Sequence, residues 1–176
     1  MAQFKAQILN DLVSENGWPT VLELGCGDGA QLALARYPAY VGVDVSSTAV
    51  ETCRRRFAND ASKRFIVLGA EPLPVADVGL SLDVLYHLVE DRVFESYMTD
   101  LIGHSKKAVV LYTSDLDGTV PDRVEPSHIR HRPIQRWMKA HCPEWTLAAH
   151  VPNPYPYRED DEENTSFADF LIYEHR

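Results

Sequence analysis

The chain has 176 residues and a mass of 19.9 kDa, enough for one domain of ordinary size and short for two. Hydrophobic residues make up 45% and charged residues 24%, close to a globular average, which excludes a mostly disordered or fibrous chain. Seventeen Lys+Arg against 26 Asp+Glu leave a net charge of −9, which opposes loose attachment to nucleic acid or an anionic membrane, because such binding rests on neutralising phosphates.

In chain order, Phe4, Ile8, Leu9, Leu12 and Val13 recur at helical spacing until Gly17 and Pro19 stop the helix. This segment carries acids and lacks a long apolar run with a small-residue cleavage site, so no signal peptide is expected. No stretch reaches the roughly 20 apolar residues of a membrane helix. The expectation is a cytoplasmic protein that does not use a membrane. VLEL (21–24) reads as a short strand that runs into glycines at 25, 27 and 29, and residues 29–36 look helical. YVGVDV (40–45) is a second strand, after which Ser46 or Ser47 can cap a helix through about 58. FIVLGA (65–70) and VGLSLDV (78–84) are further strands, 90–103 a helix, and AVVLYT (108–113) a fifth strand.

Near-continuous apolar strands alternating with helices predict an α/β, doubly wound fold: a mostly parallel sheet covered on both faces. Past residue 113 the rhythm changes to a polar loop with Gly118 and Pro121, then a short helix from Pro133 to about His141. WTLAAHV (145–151) and FADFLIY (167–173) follow with no helix between them, which predicts an antiparallel hairpin at one edge. Their connection is Pro-rich and then acidic over Glu159–Glu163. That run lacks the spacing and glycine of a calcium loop, so an exposed lid is expected and no metal. Cys26, Cys53 and Cys142 are an odd number, far apart and without a CxxC pair, which encodes neither a disulfide framework nor a zinc site.

In such sheets ligands bind beyond the carboxyl ends of the strands, beside the first strand. Gly25 and Gly27 let the backbone turn tightly there and let a ligand approach. Asp44, 19 positions after Gly25, ends the second strand where a carboxylate can accept both hydroxyls of a ribose. Gly25-x-Gly27-x-x-Ala30 also fits the dinucleotide fingerprint, so an NAD(P)-dependent oxidoreductase is an alternative. A non-catalytic cofactor-binding protein of the same fold is another. Glu23, an acid two residues before the glycines, separates them: it gains nothing near a pyrophosphate but suits a cationic ligand. S-adenosylmethionine carries a sulfonium and an ammonium and no phosphate, which matches Glu23, Asp28 and Asp44 around one turn.

Three segments carry a family resemblance: Glu23-Leu24-Gly25-Cys26-Gly27-Asp28-Gly29, Gly42-Val43-Asp44-Val45-Ser46, and Ser81-Leu82-Asp83. Over about residues 20–113 the chain resembles class I S-adenosylmethionine-dependent methyltransferases, and as a whole it is similar to a group of short bacterial methyltransferases. The resemblance implies a Rossmann-like, seven-stranded, three-layer αβα domain spanning 1–176, with an N-terminal helix (1–18), a cofactor-binding half (19–113) and a substrate-side half (114–176). It implies that Gly25, Cys26 and Gly27 face the methionine part, with Cys26 a small packed residue. Asp44 holds the ribose with Val45 beside it, and Leu82 and Asp83 line the cofactor cleft. The family often places an acid after the third strand to read the adenine amino group. Here Gly69-Ala70 stands there with Glu71 next, which leaves the backbone near Ala70 or the Glu71 side chain for that task.

Methyl transfer is an in-line displacement in which positioning supplies much of the catalysis. The stretch Asp83-Val84-Leu85-Tyr86-His87 follows the fourth strand, where the family puts substrate-facing residues. His87 is the candidate base, with Asp83 and Tyr86 as orienting groups; the alternative is that Tyr86 and His87 pack under the cofactor. The stretch is not the Asp/Asn-Pro-Pro-aromatic sequence of amine-modifying nucleic-acid enzymes, which with the charge argues against DNA as substrate. His128-Ile129-Arg130-His131-Arg132 stands before the Pro133 helix, where positive charge opposes the macrodipole by roughly 0.3–1 kcal/mol. A bound anion would relieve that conflict, which makes His128, Arg130, His131 and Arg132 candidates to read a carboxylate or phosphate on the substrate. Pairing with Glu159–Glu163, or a solvated loop, is the alternative. The expectation is methyl transfer to an O or N atom of a small molecule that can carry negative charge.

Overall fold

The computed structural model describes residues 1–118, 127–161 and 164–176. Pro121, and Glu162 and Glu163 of the acidic run, lie outside the described residues.

Helix α1 (Ala2–Glu15) turns Ala6, Leu9 and Val13 inward at the spacing of a single helical face and stops before Gly17, whose φ is +59°. Strand β1 (Thr20–Leu24) follows, then β2 (Ala39–Asp44), helix α2 (Ser47–Arg56), β3 (Lys63–Val67) and β4 (Ala76–Leu82). Helix α3 (Asp91–Gly103), β5 (Ser105–Thr113), helix α4 (Ile134–His141), β6 (Trp145–Val151) and β7 (Asp169–His175) complete the chain. The seven strands form one sheet in the order β3-β2-β1-β4-β5-β7-β6. β2 lies parallel to β1 and β3, and β4 parallel to β1, whereas β7 runs antiparallel to both β5 and β6. This is the mostly parallel, Rossmann-like sheet with an antiparallel edge that the strand pattern predicts.

The strand burial explains why the apolar runs were unbroken. Every residue of β4 is buried, as is β5 from Ala108 to its end, because both faces of the sheet are covered. One expected element is absent as a helix. Residues 29–36 make only a single 3₁₀ turn at Leu32–Leu34. Gly29 sits at φ +75° and Ala35 is already extended, so too few residues remain in helical geometry to close a second turn.

The chain divides into two compact units, Met1–Leu80 with His104–Lys106, and Ser81–Gly103 with Lys107–Arg176. β5 pairs with β7 from Ala108↔Glu174 to Thr113↔Asp169, which ties the strand to the C-terminal segment. In the first unit Leu22, Val43, Val50, Ile66, Val78 and Leu80 form the core; in the second Met98, Leu101, Val109, Leu111, Tyr112 and Phe170 do. Full burial of each such side chain contributes roughly 1.5–3 kcal/mol. Among the described residues no helix is long and apolar enough to cross a membrane.

Candidate functional site

In the first unit β1 delivers the chain into the glycine turn, and β2 holds that turn in place. Gly25 N and Cys26 N both donate to the Val43 carbonyl, at 2.7 and 3.1 Å. Gly27, at φ +56°, points its missing side chain into open space, so the turn keeps a face that a ligand can approach. Asp44 ends β2 and closes the arrangement: its Oδ2 accepts from Gly27 N at 2.9 Å and its Oδ1 from Ser46 N at 2.8 Å. Ser46 then caps α2 by accepting from Ala49 N at 3.2 Å. The carboxylate is thus fixed at the mouth of the turn, and Val45 beside it is 77% exposed, an apolar surface at a strand end.

The other acids have partners the sequence did not supply. Glu23 is buried, and its Oε2 accepts from the Tyr40 hydroxyl at 2.6 Å. Asp28 Oδ1 accepts from Ala30 N at 2.9 Å, and its other oxygen lies 3.5 Å from Arg56. Cys26 is buried, and burial first, then Glu23, push its thiol well above the ordinary range, as expected of a packed residue and not of a nucleophile. Cys53, on α2, donates from Sγ to the Gly27 carbonyl at 3.2 Å and so supports the turn from below. After β3, Leu68 N donates to the Asp44 carbonyl at 2.9 Å, and Leu68 is 41% exposed. Ala70 N donates to Val67 O at 3.0 Å, while the Glu71 carboxylate is ion-paired with Arg64. Tyr40 on β2, Cys53 on α2 and Leu68 in the turn after β3 bond to the candidate site residues and were missed by sequence reasoning, because each partner is distant along the chain.

In the second unit Leu82 is buried at the end of β4, and Asp83 follows at φ +59°, the one non-glycine positive φ among the described residues. Such a conformation in a side-chain-bearing residue is held only where the surroundings over-determine it. Asp83 N donates to Tyr112 O at 3.0 Å, and the Tyr86 hydroxyl donates to Asp83 Oδ1 at 2.8 Å. Burial first, and then Asp83, raise the Tyr86 phenol far above its usual range, so Tyr86 stays protonated. His87 lies on the 3₁₀ turn Leu85–His87, is exposed, and has Nδ1 3.4 Å from the His128 carbonyl. Its ring also stacks on that of His128 at 5.9 Å and 14°.

The arginines of the 128–132 cluster have partners within the chain. Pro133 is the N-cap of α4, and the first-turn donor Gln135 N is met by Asp115 Oδ1 at 3.0 Å. The helix end therefore has its own anion. Arg132 is buried, donating to Leu88 O at 2.6 Å, to Val89 O at 2.9 Å and to Asp91 at 3.2 Å. Arg130 donates to Val89 O at 2.8 Å and pairs with Asp91 at 2.9 Å. The arginine forks thus clasp the start of α3, with Asp91 in the place proposed for Glu159–Glu163; in the acidic run Asp160 pairs with Arg158 at 2.8 Å. Arg132 first, and Arg130 with it, hold the Asp91 carboxyl below its ordinary range. His131 is buried, with Nδ1 2.6 Å from Ser114 Oγ. A cavity of about 430 Å³ lies beside the clasp, lined by Phe94, Trp137, Arg136 and Asp117 among others.

A family model described as methyltransferase domain matches residues 21–107. Comparison with curated proteins finds no match. Among solved structures, magnesium protoporphyrin IX methyltransferase from Synechocystis PCC 6803 with bound SAM has a TM-score of 0.72 at 16% identity, over 99% of this chain and 79% of that one. The methyltransferase domain of a bacterial Hen1 gives 0.72 at 16% identity, over 98% and 97%. The N-methyltransferase NodS from Bradyrhizobium japonicum WM9 gives 0.67 at 16%, over 99% and 93%. At these identities the similarity is one of fold.

Proposed function

We propose that the chain is a class I S-adenosylmethionine-dependent methyltransferase and that it methylates an oxygen or nitrogen atom of a small molecule. The observation that carries the reading is the Asp44 carboxylate, fixed by Gly27 N and Ser46 N at the open face of the turn and flanked by exposed Val45. These residues fit the cofactor: a turn without side-chain bulk at Gly27, a carboxylate for two hydroxyls, and an apolar surface for a base. When bound, the cofactor supplies a methyl carbon already activated by the adjacent sulfonium. Gly25, Cys26 and Gly27 hold its amino-acid end, Glu23 and Asp28 contribute negative field, and Asp44 with Val45 takes the nucleoside. With Glu71 committed to Arg64, the backbone around Ala70 takes the adenine edge.

On the acceptor side His87 is the proposed base. A proton on Nδ1 directed at the His128 carbonyl leaves Nε2 to accept one from the acceptor, a contribution of about 10²–10⁴-fold. Asp83 and Tyr86 set the turn that carries it. Within the 128–132 cluster Arg132 serves the fold. Arg130, 45% exposed, is the member that can still meet an anionic group, with His128 and His131 lining the same segment. The net charge of −9 supports a small molecule over a nucleic acid, and three buried free thiols suit a reducing cytoplasm. Calorimetry with S-adenosylhomocysteine and, separately, with NAD(H) tests the reading. Binding of the first and not the second is expected; the reverse pattern would sink it.

A further inference from the structure

We infer that the methyl acceptor is a planar aromatic molecule, held against a series of rings at the carboxyl ends of β4 and β5. The inference rests on the methyl-transfer reading above and adds the class of substrate. Six rings from four separate chain segments touch in sequence. His128 stacks on His87, and His87 meets Tyr86 at 4.6 Å. Tyr86 lies 6.4 Å from His131, His131 stands edge-on to Phe167 at 5.5 Å, and Phe167 stacks on Tyr157 at 3.8 Å and 18°. Their location follows from strand register. Asp83 N is bonded to Tyr112 O near the end of β5, and Thr113, the last residue of β5, pairs with Asp169, the first of β7. Tyr86 and Phe167 therefore come from chain that leaves or enters the sheet at the same end.

These rings are not the core at that end. Tyr112 and Phe170 already fill it, packed together at 4.8 Å and fully buried, whereas Tyr86, Tyr157 and Phe167 are only half-buried and His87 and His128 are exposed. Each of these half-buried or exposed rings keeps some surface open to solvent, where a flat ligand can add a contact without displacing a core side chain. Each part of the series is also fixed in place by polar bonds. Asp83 holds the Tyr86 hydroxyl, Ser114 holds His131, and the His128 carbonyl faces His87. The loop carrying Tyr157 and Phe167 is tied by the buried Asn153, which donates to Tyr155 O at 2.9 Å and Ser166 O at 3.3 Å. Asn153 N in turn donates to Asp169 at 2.8 Å. A preorganised wall of ring faces and edges favours a flat π-system over a saturated ring of equal size, because only the former returns offset-stacked and edge contacts.

The test uses the full chain and ligand-detected saturation-transfer NMR, with and without S-adenosylhomocysteine. The probes are phenol, 4-hydroxybenzoate, 4-aminobenzoate and 8-hydroxyquinoline, each beside its ring-saturated counterpart. At least one aromatic probe should bind tenfold or more tightly than its counterpart. Phe167→Ala should abolish that preference, and Phe167→Leu, which keeps apolar volume without a ring, should reduce it, while Phe167→Tyr retains it. Equal binding of saturated counterparts, binding of no aromatic probe, or an unchanged preference in a folded Phe167→Leu protein overturns the inference. Calorimetry with S-adenosylhomocysteine separates the two readings: retained cofactor binding with no ring preference refutes the acceptor class alone, and lost cofactor binding in the unaltered protein refutes methyl transfer.

Discussion

Replacing Asp44 by Asn is the sharpest perturbation of the proposed cofactor site, because it keeps the shape and changes only charge and hydrogen-bond polarity. A carboxylate offers about four acceptor positions on its two oxygens. Two are taken by Gly27 N at 2.9 Å and Ser46 N at 2.8 Å, which leaves two for ribose hydroxyls. An Asn amide must turn its NH₂ either toward Gly27 N–H or toward Ser46 N–H, so one backbone donor faces a donor in both orientations. One ribose-accepting position is lost as well. A hydrogen bond to a charged group contributes about 1.5–3 kcal/mol, which converts to a loss of roughly 10- to 150-fold in cofactor affinity. Asp44→Ala removes both ribose acceptors and should weaken binding by about 100-fold or more. Asp44→Asn loses one backbone bond, about 1 kcal/mol, and should lower the melting temperature by about 2–4 °C; Asp44→Ala loses both, with about twice that effect. Calorimetric titration with S-adenosylhomocysteine, beside a thermal melt of the free protein, reads both quantities. An Asp44→Asn protein that is folded and binds within threefold of the unaltered chain would refute the ribose assignment.

Gly42→Ala should destabilise, since a Cβ there would lie 2.9 Å from the Tyr40 hydroxyl and 3.0 Å from Cys26 Cβ, forcing Tyr40 off Glu23. A cost of about 1–3 kcal/mol is expected in a denaturant melt, and Gly103→Ala, which meets nothing within 4 Å, is the neutral control. His87→Ala should lower turnover about 10²-fold or more while S-adenosylhomocysteine affinity stays constant; unchanged turnover assigns His87 to packing. Asp91→Asn should melt lower than the unaltered protein at neutral pH. Because Arg132 and Arg130 hold the Asp91 carboxyl below its unfolded value of about 3.9, its contribution is fully present above that pH and is lost as pH falls through the lower folded value. The gap between the two melting curves should therefore narrow as pH falls below about 3.9 and close through the lower folded value, and a gap that does not narrow there would show that the clasp does not depend on charge.

What was legible in the sequence was whatever neighbours along the chain decide. The apolar runs of β4 and β5 and the glycines after β1 declare a buried strand and a turn without outside help. The failures are of a different kind. Residues 29–36 carry helix-forming Ala and Leu, but Gly29 sits at φ +75°, outside helical geometry, and a Cβ there would lie 2.8 Å from Phe57, 28 residues away, which closes the position to a side chain. The 128–132 cluster shows how far local electrostatics can reach and where it stops. Positive charge before a helix start requires an anion, and that inference holds. It cannot say whether the anion is a substrate or a side chain. Side-chain anions are present in Asp115, 20 residues before Gln135, and in Asp91, 41 before Arg132. Local charge rules thus fix the sign of a missing partner, and topology chooses its identity. The same division explains the ring series: Tyr86, His131, Phe167 and Tyr157 are unremarkable singly and far apart in the chain, and only the antiparallel pairing of β7 with β5 brings the last two to the end of the sheet where Asp83 begins its turn.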